Sequence, residues 1–439
     1  MQKLVVIGAG MASGRVLEHL RETAPEAYDI TLFNAEPRGN YNRIMLSPVL
    51  SGEKSFEEIV THDDDWYAGN QVTCRFGEKV LEIDRDRKVV VGENGEVPYD
   101  KLIIGTGSAP FIIPVPGHKL PGVVAYRDLE DTNAMVEASA RPGASAVVIG
   151  GGLLGLEAAA GLRLRGMDVT VLHIASHLME RQLDESAGYL LRRDLEKRGI
   201  KVMLQASTKE IVGEGRAEAV HLADGTVLPC DIVVMAVGIR PSVQLAKDSG
   251  LECNRAIVVD AQMQTSDPDV YAVGECIEYD GNIFGLVAPL YDQAKVLART
   301  LLGEADSFAM KELSTKRKVT GCDLFSAGDF SEGEGREDII FRDPARGVYK
   351  RLVIEGEKLV GAVMYGDTAD GNWFFGLIKD GTDISEMRET LIFGPAYQGG
   401  ASADPMAAVA ALPDDAEICG CNGVCKGDIV AASEGGATD

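Results

Sequence analysis

Two glycine clusters hold the residues whose types and spacing carry the most chemistry in this chain. LVVIGAGMASG supplies Gly8 and Gly10, with Ser13 at the third position of the pattern and Gly14 beside it. VVIGGGLLGLE supplies Gly150, Gly152 and Gly155. Each cluster ends a β-branched run and opens a helical stretch. In such a turn the first glycine permits the sharp bend, the second lets a pyrophosphate approach the backbone, and the third lets helix and strand pack closely. The helix N-terminus then offers unpaired N–H groups and a positive dipole end to the phosphates. The chemistry implied is dinucleotide binding, and it is implied twice.

The elements that must position these turns also repeat. A second strand follows each about 25 residues on: DITLFNAE (29–36) and DVTVLHIA (168–175). Later, YDKLIIGTGSAP (99–110) matches CDIVVMAVGIRP (230–241). Strand, glycine turn, helix and strand make a βαβ unit. A carboxylate ending the second strand would bond a ribose hydroxyl. In the first copy Asn34 holds that place and Glu36 follows, so Glu36 is the candidate, with Asn34 sharing the role. In the second copy the place is His173. It supplies neither the carboxylate that favours NAD nor the arginine that favours NADP, so NADH versus NADPH stays open. A third feature is TSDPDVYAVGEC, a strand ending at Gly274–Glu275, with a helix beginning near Ala288–Pro289. The Glu275 carboxylate can accept from the ribitol hydroxyls of a flavin. The helix N-terminus can stabilise negative charge on a reduced flavin ring.

Composition narrows the partners. The net charge of −25 argues against nucleic acid, whose phosphates need Lys and Arg, and disfavours anionic membranes. The N-terminus enters an apolar strand at once, with no cleavable leader pattern, and no apolar run approaches the roughly 20 residues of a membrane span. The expectation is a cytoplasmic protein with small-molecule or protein partners; a homodimer is compatible with it. Five cysteines, Cys74, Cys230, Cys253, Cys276 and Cys322, are scattered singly and read as small apolar residues rather than a disulfide framework.

GAGMAS, LIIGTGSAP, IGGGLLGLE, AVGIRP and TSDPDVYAVGE, in that order over about residues 1–305, resemble the flavoprotein reductases with two dinucleotide-binding domains. The resemblance implies an α/β fold with two Rossmann-like domains and a small α+β C-terminal domain. FAD would sit in a domain made from 1–115 and 245–310, and NAD(P)H in an inserted domain at 116–244. The FAD neighbours implied are Gly8, Gly10, Glu36, Arg43, Val80, Thr106, Gly107, Arg127, Gly274, Glu275 and Ala288. Arg43 is expected near the pyrophosphate, and Val80 would meet adenine through its backbone. The nicotinamide site would use Gly150, Gly152, Gly155, Glu157 and Gly238. Glu157 would lie at the flavin–nicotinamide junction, placing the ring or capping a helix. Ser13 for the third glycine and Glu275 for an aspartate depart from the family pattern. The stretch where disulfide reductases and peroxidases of this fold carry cysteine, YNRIMLSPVLSGE, has serines. Electrons are therefore expected to leave outward rather than to a protein thiol.

Residues 311–395 resemble the small third domain of rubredoxin-type reductases, and especially of assimilatory NAD(P)H nitrite reductase large subunits. Trp373, Phe374 and Phe375 form either a partner surface or packed core. Residues 396–416 read as a linker. The ending CGCNGVCKGDIV resembles the start of a helical [2Fe-2S] domain. Cys419 and Cys421 match its first ligand pair, and Cys425 is not counted. Such a cluster needs four thiolates, so it is expected in a longer chain only. The resemblance implies NAD(P)H giving hydride to FAD, and electrons passing to an iron–sulfur cluster and sirohaem, where nitrite becomes ammonia. The alternatives are a stand-alone NAD(P)H:rubredoxin or ferredoxin reductase, with a small redox protein as acceptor, and a flavin sensor without turnover.

Overall fold

The computed structural model describes residues 1–310, 314–319, 321–397, 413–414, 417–419 and 424–437. Two five-stranded parallel sheets form its centre. The first has the spatial order Val270–Ala272, Lys101–Ile104, Gln2–Ile7, Tyr28–Asn34, Val72–Phe76. The second has the order Ile200–Met203, Asp168–Leu172, Ser145–Ile149, Ile232–Met235, Val123–Val124. Their central strands are unbroken apolar runs because helices or strands cover both faces. Leu4, Val5, Val6 and Ile7 are buried, as are Ala146, Val147, Val148 and Ile149.

Each sheet carries the same accessory, a three-stranded antiparallel meander. One is Val80–Asp84, Val89–Gly92 and Gly95–Pro98; the other is Thr208–Val212, Ala219–Leu222 and Val227–Pro229. The chain crosses between the halves twice. The two crossings, Ser108–Pro110 and Ile239–Pro241, pair with each other as an antiparallel ribbon. The glycine turns of both halves are thereby tied to one short two-stranded hinge.

The C-terminal unit is a five-stranded antiparallel sheet ordered Ser314–Val319, Cys322–Gly328, Lys358–Tyr365, Val348–Glu355, Arg336–Asp343, with the helix Gly371–Asp380 packed on it. Phe374 is fully buried there, and Trp373 and Phe375 are half-buried against the same core, so this aromatic run is mainly packing. The sheet grips the helix Glu185–Lys197 of the second half. The Tyr349 hydroxyl donates to Asp184 at 2.6 Å and the Tyr365 hydroxyl donates to Asp194 at 2.6 Å.

Most of the expected linker 396–416 lies outside the described residues, as does Cys421. Cys419 ends the short strand Glu417–Cys419, which pairs with Val424–Cys425. Among the described residues no three His, Cys, Asp or Glu side chains could hold a metal ion together, and no helix is long and apolar enough to cross a membrane.

Candidate functional site

The helices that follow the glycine turns start differently from three others among the described residues. Asp63, Asp128 and Asp184 cap their helices through side-chain carboxylates. Met11–Thr23 and Leu153–Leu164 start at Gly10 and Gly152, with no side-chain cap and no acidic residue in the first turn. Their first N–H groups are left for something outside the helix. A Cβ on Gly10 or Gly152 would meet nothing within 4 Å. Open space therefore lies where a pyrophosphate would approach.

The first glycines are fixed by crowding. Gly8 has φ +102°, and a Cβ there would stand 2.3 Å from the Gly105 carbonyl oxygen. Gly150 has φ +122°, and its Cβ would stand 2.2 Å from the Ala236 carbonyl oxygen. The third positions show how Ser13 is tolerated. In the second half a Cβ on Gly155 would lie 2.0 Å from the Gly150 carbonyl oxygen, so glycine is required beside Ala236. In the first half Ser13 is buried, and the glycine has moved to the opposing position: a Cβ on Gly105 would lie 2.1 Å from the Ser13 hydroxyl. Gly14 lies against the Asn40 side chain, whose amide donates to the Gly10 carbonyl at 2.7 Å.

Around the first turn a continuous set of bonds joins most of the predicted residues. Asn34 accepts from the Ala9 N–H at 3.3 Å and donates to the Arg38 carbonyl at 2.7 Å. Glu36 pairs with Arg43 and accepts from the Tyr41 hydroxyl at 2.9 Å, and Arg43 also donates to the Arg127 carbonyl at 3.2 Å. Burial pushes the Tyr41 phenol well above its ordinary range, so it stays a donor. Arg127 in turn donates to Glu275 at 2.6 Å, as does the Ser108 hydroxyl at 2.6 Å. Both reach the same carboxylate oxygen, Oε2, which leaves Oε1 for a ligand hydroxyl. Gly107 abuts Arg127, and Thr106 donates to the Ser242 carbonyl at 2.8 Å. Gly274 donates its N–H to Gln293 Oε1 at 3.0 Å.

Two buried atoms here have no partner: the Ser13 hydroxyl and Gln293 Nε2. Buried polar atoms are seldom left so. Ala288 lies in the first turn of Val287–Leu301, which packs along Met11–Thr23. Val80 stands apart. It is buried at the start of the first meander, two residues beyond Glu78, whose N–H donates to the Asn34 carbonyl, and it shares none of the side-chain bonds above.

On the second half, Gly238 has φ +117° and accepts from the Phe111 N–H at 2.9 Å, which places it on the hinge ribbon. His173 is buried, and its Nδ1 accepts from the Gly151 N–H at 3.1 Å. Glu157 connects the halves. It accepts from the Ser47 hydroxyl at 2.7 Å, and Ser47 accepts from Tyr126 at 3.0 Å. Burial raises the Tyr126 phenol strongly, so the chain of donors runs one way, from Tyr126 through Ser47 to the carboxylate. Ser47 belongs to the helix Leu46–Ser51, whose Leu50 fills the space opposite Gly161. Sequence reasoning missed Ser47, Ser108, Tyr126 and Gln293. The one local signal was the serine-bearing stretch YNRIMLSPVLSGE.

Two buried thiols are Cys230 and Cys276, the latter donating to the Ile104 and Val273 carbonyls. Burial pushes Cys230 up to about 11 and raises Cys276 as well, so both are protonated and unreactive at pH 8. Iodoacetamide at pH 8 is expected to leave both unlabelled in the folded protein and to label both after unfolding. Peptide mapping reads this directly, and rapid native labelling of Cys276 would disprove it.

Residues 2–296 match the family described as pyridine nucleotide-disulphide oxidoreductase, and residues 314–382 match the rubredoxin NAD+ reductase C-terminal domain. The chain is 47% identical over 433 residues to a nitrite reductase (NAD(P)H) of Bacillus subtilis (strain 168), covering 98% of this chain and 53% of that protein. It is 39% identical to an assimilatory nitrate reductase electron transfer subunit of the same organism, covering 98% of this chain and 55% of that protein. The chain thus spans about half the length of these curated relatives. Putidaredoxin reductase, solved in covalent complex with putidaredoxin, superposes with a TM-score of 0.78 at 25% identity, over 93% of this chain and 98% of that one. With two uncapped glycine turns, a bridging Glu157 and a family match over residues 2–296, the chain belongs to the pyridine nucleotide-disulphide oxidoreductase family, as an NAD(P)H-dependent flavoprotein oxidoreductase.

Proposed function

We propose that this chain is the NAD(P)H dehydrogenase module of an assimilatory nitrite-reducing system, with FAD in the half built from 1–115 and 245–310 and NAD(P)H in the half at 116–244. The observation that carries the reading is the Ser47–Glu157 bond, which holds the two nucleotide halves together where the coenzymes would meet. The fit to FAD rests on the open space at Gly10, the unpartnered Ser13 and Gln293 atoms and the remaining oxygen of Glu275. A bound flavin supplies the conversion of a two-electron hydride into single electrons. The protein's own work is to hold, orient and exclude water. Gly10 and the helix after it receive the FAD pyrophosphate, with Arg43 beside them. Glu36 receives a ribose hydroxyl, Arg127 and Ser108 hold Glu275 against the ribitol, and Glu157 places the nicotinamide ring.

The iron–sulfur ending does not fit a cluster within this chain. It supplies Cys419 and Cys421, two of the four thiolates required. The acceptor in this reading is therefore an iron–sulfur and sirohaem assembly outside these residues, where nitrite is reduced to ammonia. A second reading, a reductase of a small rubredoxin- or ferredoxin-like protein, is favoured by the match of residues 314–382.

The purified chain loaded with FAD is expected to reduce ferricyanide with NAD(P)H and to leave nitrite unchanged. A colourless protein that cannot bind added FAD would sink both readings. Negligible turnover in a flavin-loaded protein would leave a sensor. Rapid electron transfer to rubredoxin, with none to an added sirohaem partner domain, would decide for the second reading.

A further inference from the structure

Position 173 lacks the carboxylate that favours NAD, yet the fold brings a carboxylate to that position. The Gly151 N–H donates to His173 Nδ1, so the proton of the neutral ring sits on Nε2. Nε2 faces Glu180 Oε2 at 2.9 Å and donates to it. Glu180 gets there because the chain after the second strand folds back over the glycine turn. Leu178 is fully buried against Gly151. The Met179 N–H donates to the Gly151 carbonyl at 3.0 Å, and Met179 takes a left-handed backbone, φ +53°, which is uncommon outside glycine. Gly151 is therefore held through both its N–H and its carbonyl. His173 is 6% exposed and Glu180 is 39% exposed, so the ring is interior and the carboxylate opens to solvent beside the turn.

We propose that Glu180, positioned by His173, receives the adenosine ribose hydroxyls and makes this chain an NADH rather than an NADPH reductase. The inference rests on the reading that the second glycine turn binds a nicotinamide dinucleotide. Glu180 Oε2 is held by His173, and Oε1 accepts from a ribose hydroxyl. A 2′-phosphate would bring a second anion against the carboxylate, and like charges so placed are strongly disfavoured. The competing cation is Arg181, exposed and without an ion pair among the described residues. An NADPH enzyme would need that guanidinium to override its neighbour.

The test uses the FAD-loaded chain and ferricyanide, with kcat/KM measured for both coenzymes. The wild type should prefer NADH by about tenfold or more, given the cost of apposed like charges. Glu180→Gln should raise the KM for NADH and carry the NADH:NADPH ratio toward one. His173→Ala should do the same with Glu180 still present. His173→Gln should restore the preference, because its amide can accept from Gly151 and donate to Glu180. A wild-type preference for NADPH that Arg181→Ala abolishes would overturn the inference, as would a ratio that Glu180→Gln does not move. Absence of turnover with both coenzymes would instead overturn the parent reading, and this one with it.

Discussion

Gly8→Ala is expected to destabilise the first half, and Gly10→Ala to leave it stable but weaken its hold on flavin at least tenfold. The two residues sit in the same turn and differ in what surrounds them. At Gly8 a Cβ would lie 2.3 Å from the Gly105 carbonyl oxygen, on a backbone at φ +102°. The backbone term costs about 1–3 kcal/mol, and the overpacking about 1–3 kcal/mol more. At Gly10 nothing lies within 4 Å, so the added methyl costs the empty protein little. It fills the space through which a pyrophosphate reaches the N–H groups at the start of Met11–Thr23. Thermal unfolding of the apoprotein should fall by several degrees for Gly8→Ala and stay within a degree or two for Gly10→Ala. FAD titration should show at least a tenfold loss for Gly10→Ala, on the scale of one or two charge-assisted hydrogen bonds. Normal FAD affinity in Gly10→Ala would remove the first glycine turn from the proposed site.

The second large effect is expected at Glu275. Its carboxylate gathers Arg127 and Ser108 onto Oε2, and its neighbour Gly274 is tied to the buried Gln293. Glu275→Ala strands the Arg127 guanidinium, which is 21% exposed, beside Gly107 and removes the acceptor for ribitol hydroxyls. Truncating one member of a fully buried pair costs about 3–5 kcal/mol. This pair keeps some solvent, so a cost of about 1–3 kcal/mol is expected. FAD affinity should fall about tenfold, since about 1.4 kcal/mol corresponds to a factor of ten. Glu275→Gln should be intermediate, because its amide oxygen still accepts from Ser108. Unchanged FAD affinity in Glu275→Ala would place the ribitol elsewhere.

The dinucleotide architecture was legible in the residues because its demands are local. A glycine at positive φ, a β-branched run and an uncapped helix start are all set within a few tens of residues, so LVVIGAGMASG and VVIGGGLLGLE announce themselves. Ser13 departs from the glycine of the family pattern. In the fold it is one half of an exchange, with Gly105 taking the glycine's place and Ala236 filling the equivalent position opposite Gly155. The matched stretches at 99–110 and 230–241 contained both residues, but their relation across the turn is a packing fact.

The polar site depended on distance in space. Ser47 and Glu157 are 110 residues apart, Arg127 and Glu275 are 148 apart, and Ser108 and Glu275 are 167 apart. The stretch YNRIMLSPVLSGE stands out for its serines but does not say that Ser47 meets Glu157. His173 shows the division most clearly. Its place at the end of the second strand followed from the strand itself, and it read as an absence of charge. The fold turns the following loop back so that the Glu180 carboxylate stands 2.9 Å from the His173 ring. Backbone conformation is a short-range demand, and a sequence states it residue by residue. Charge and hydrogen-bond complementarity act across whatever the chain folds together, so the tertiary structure alone decided that Glu180 stands beside the second glycine turn.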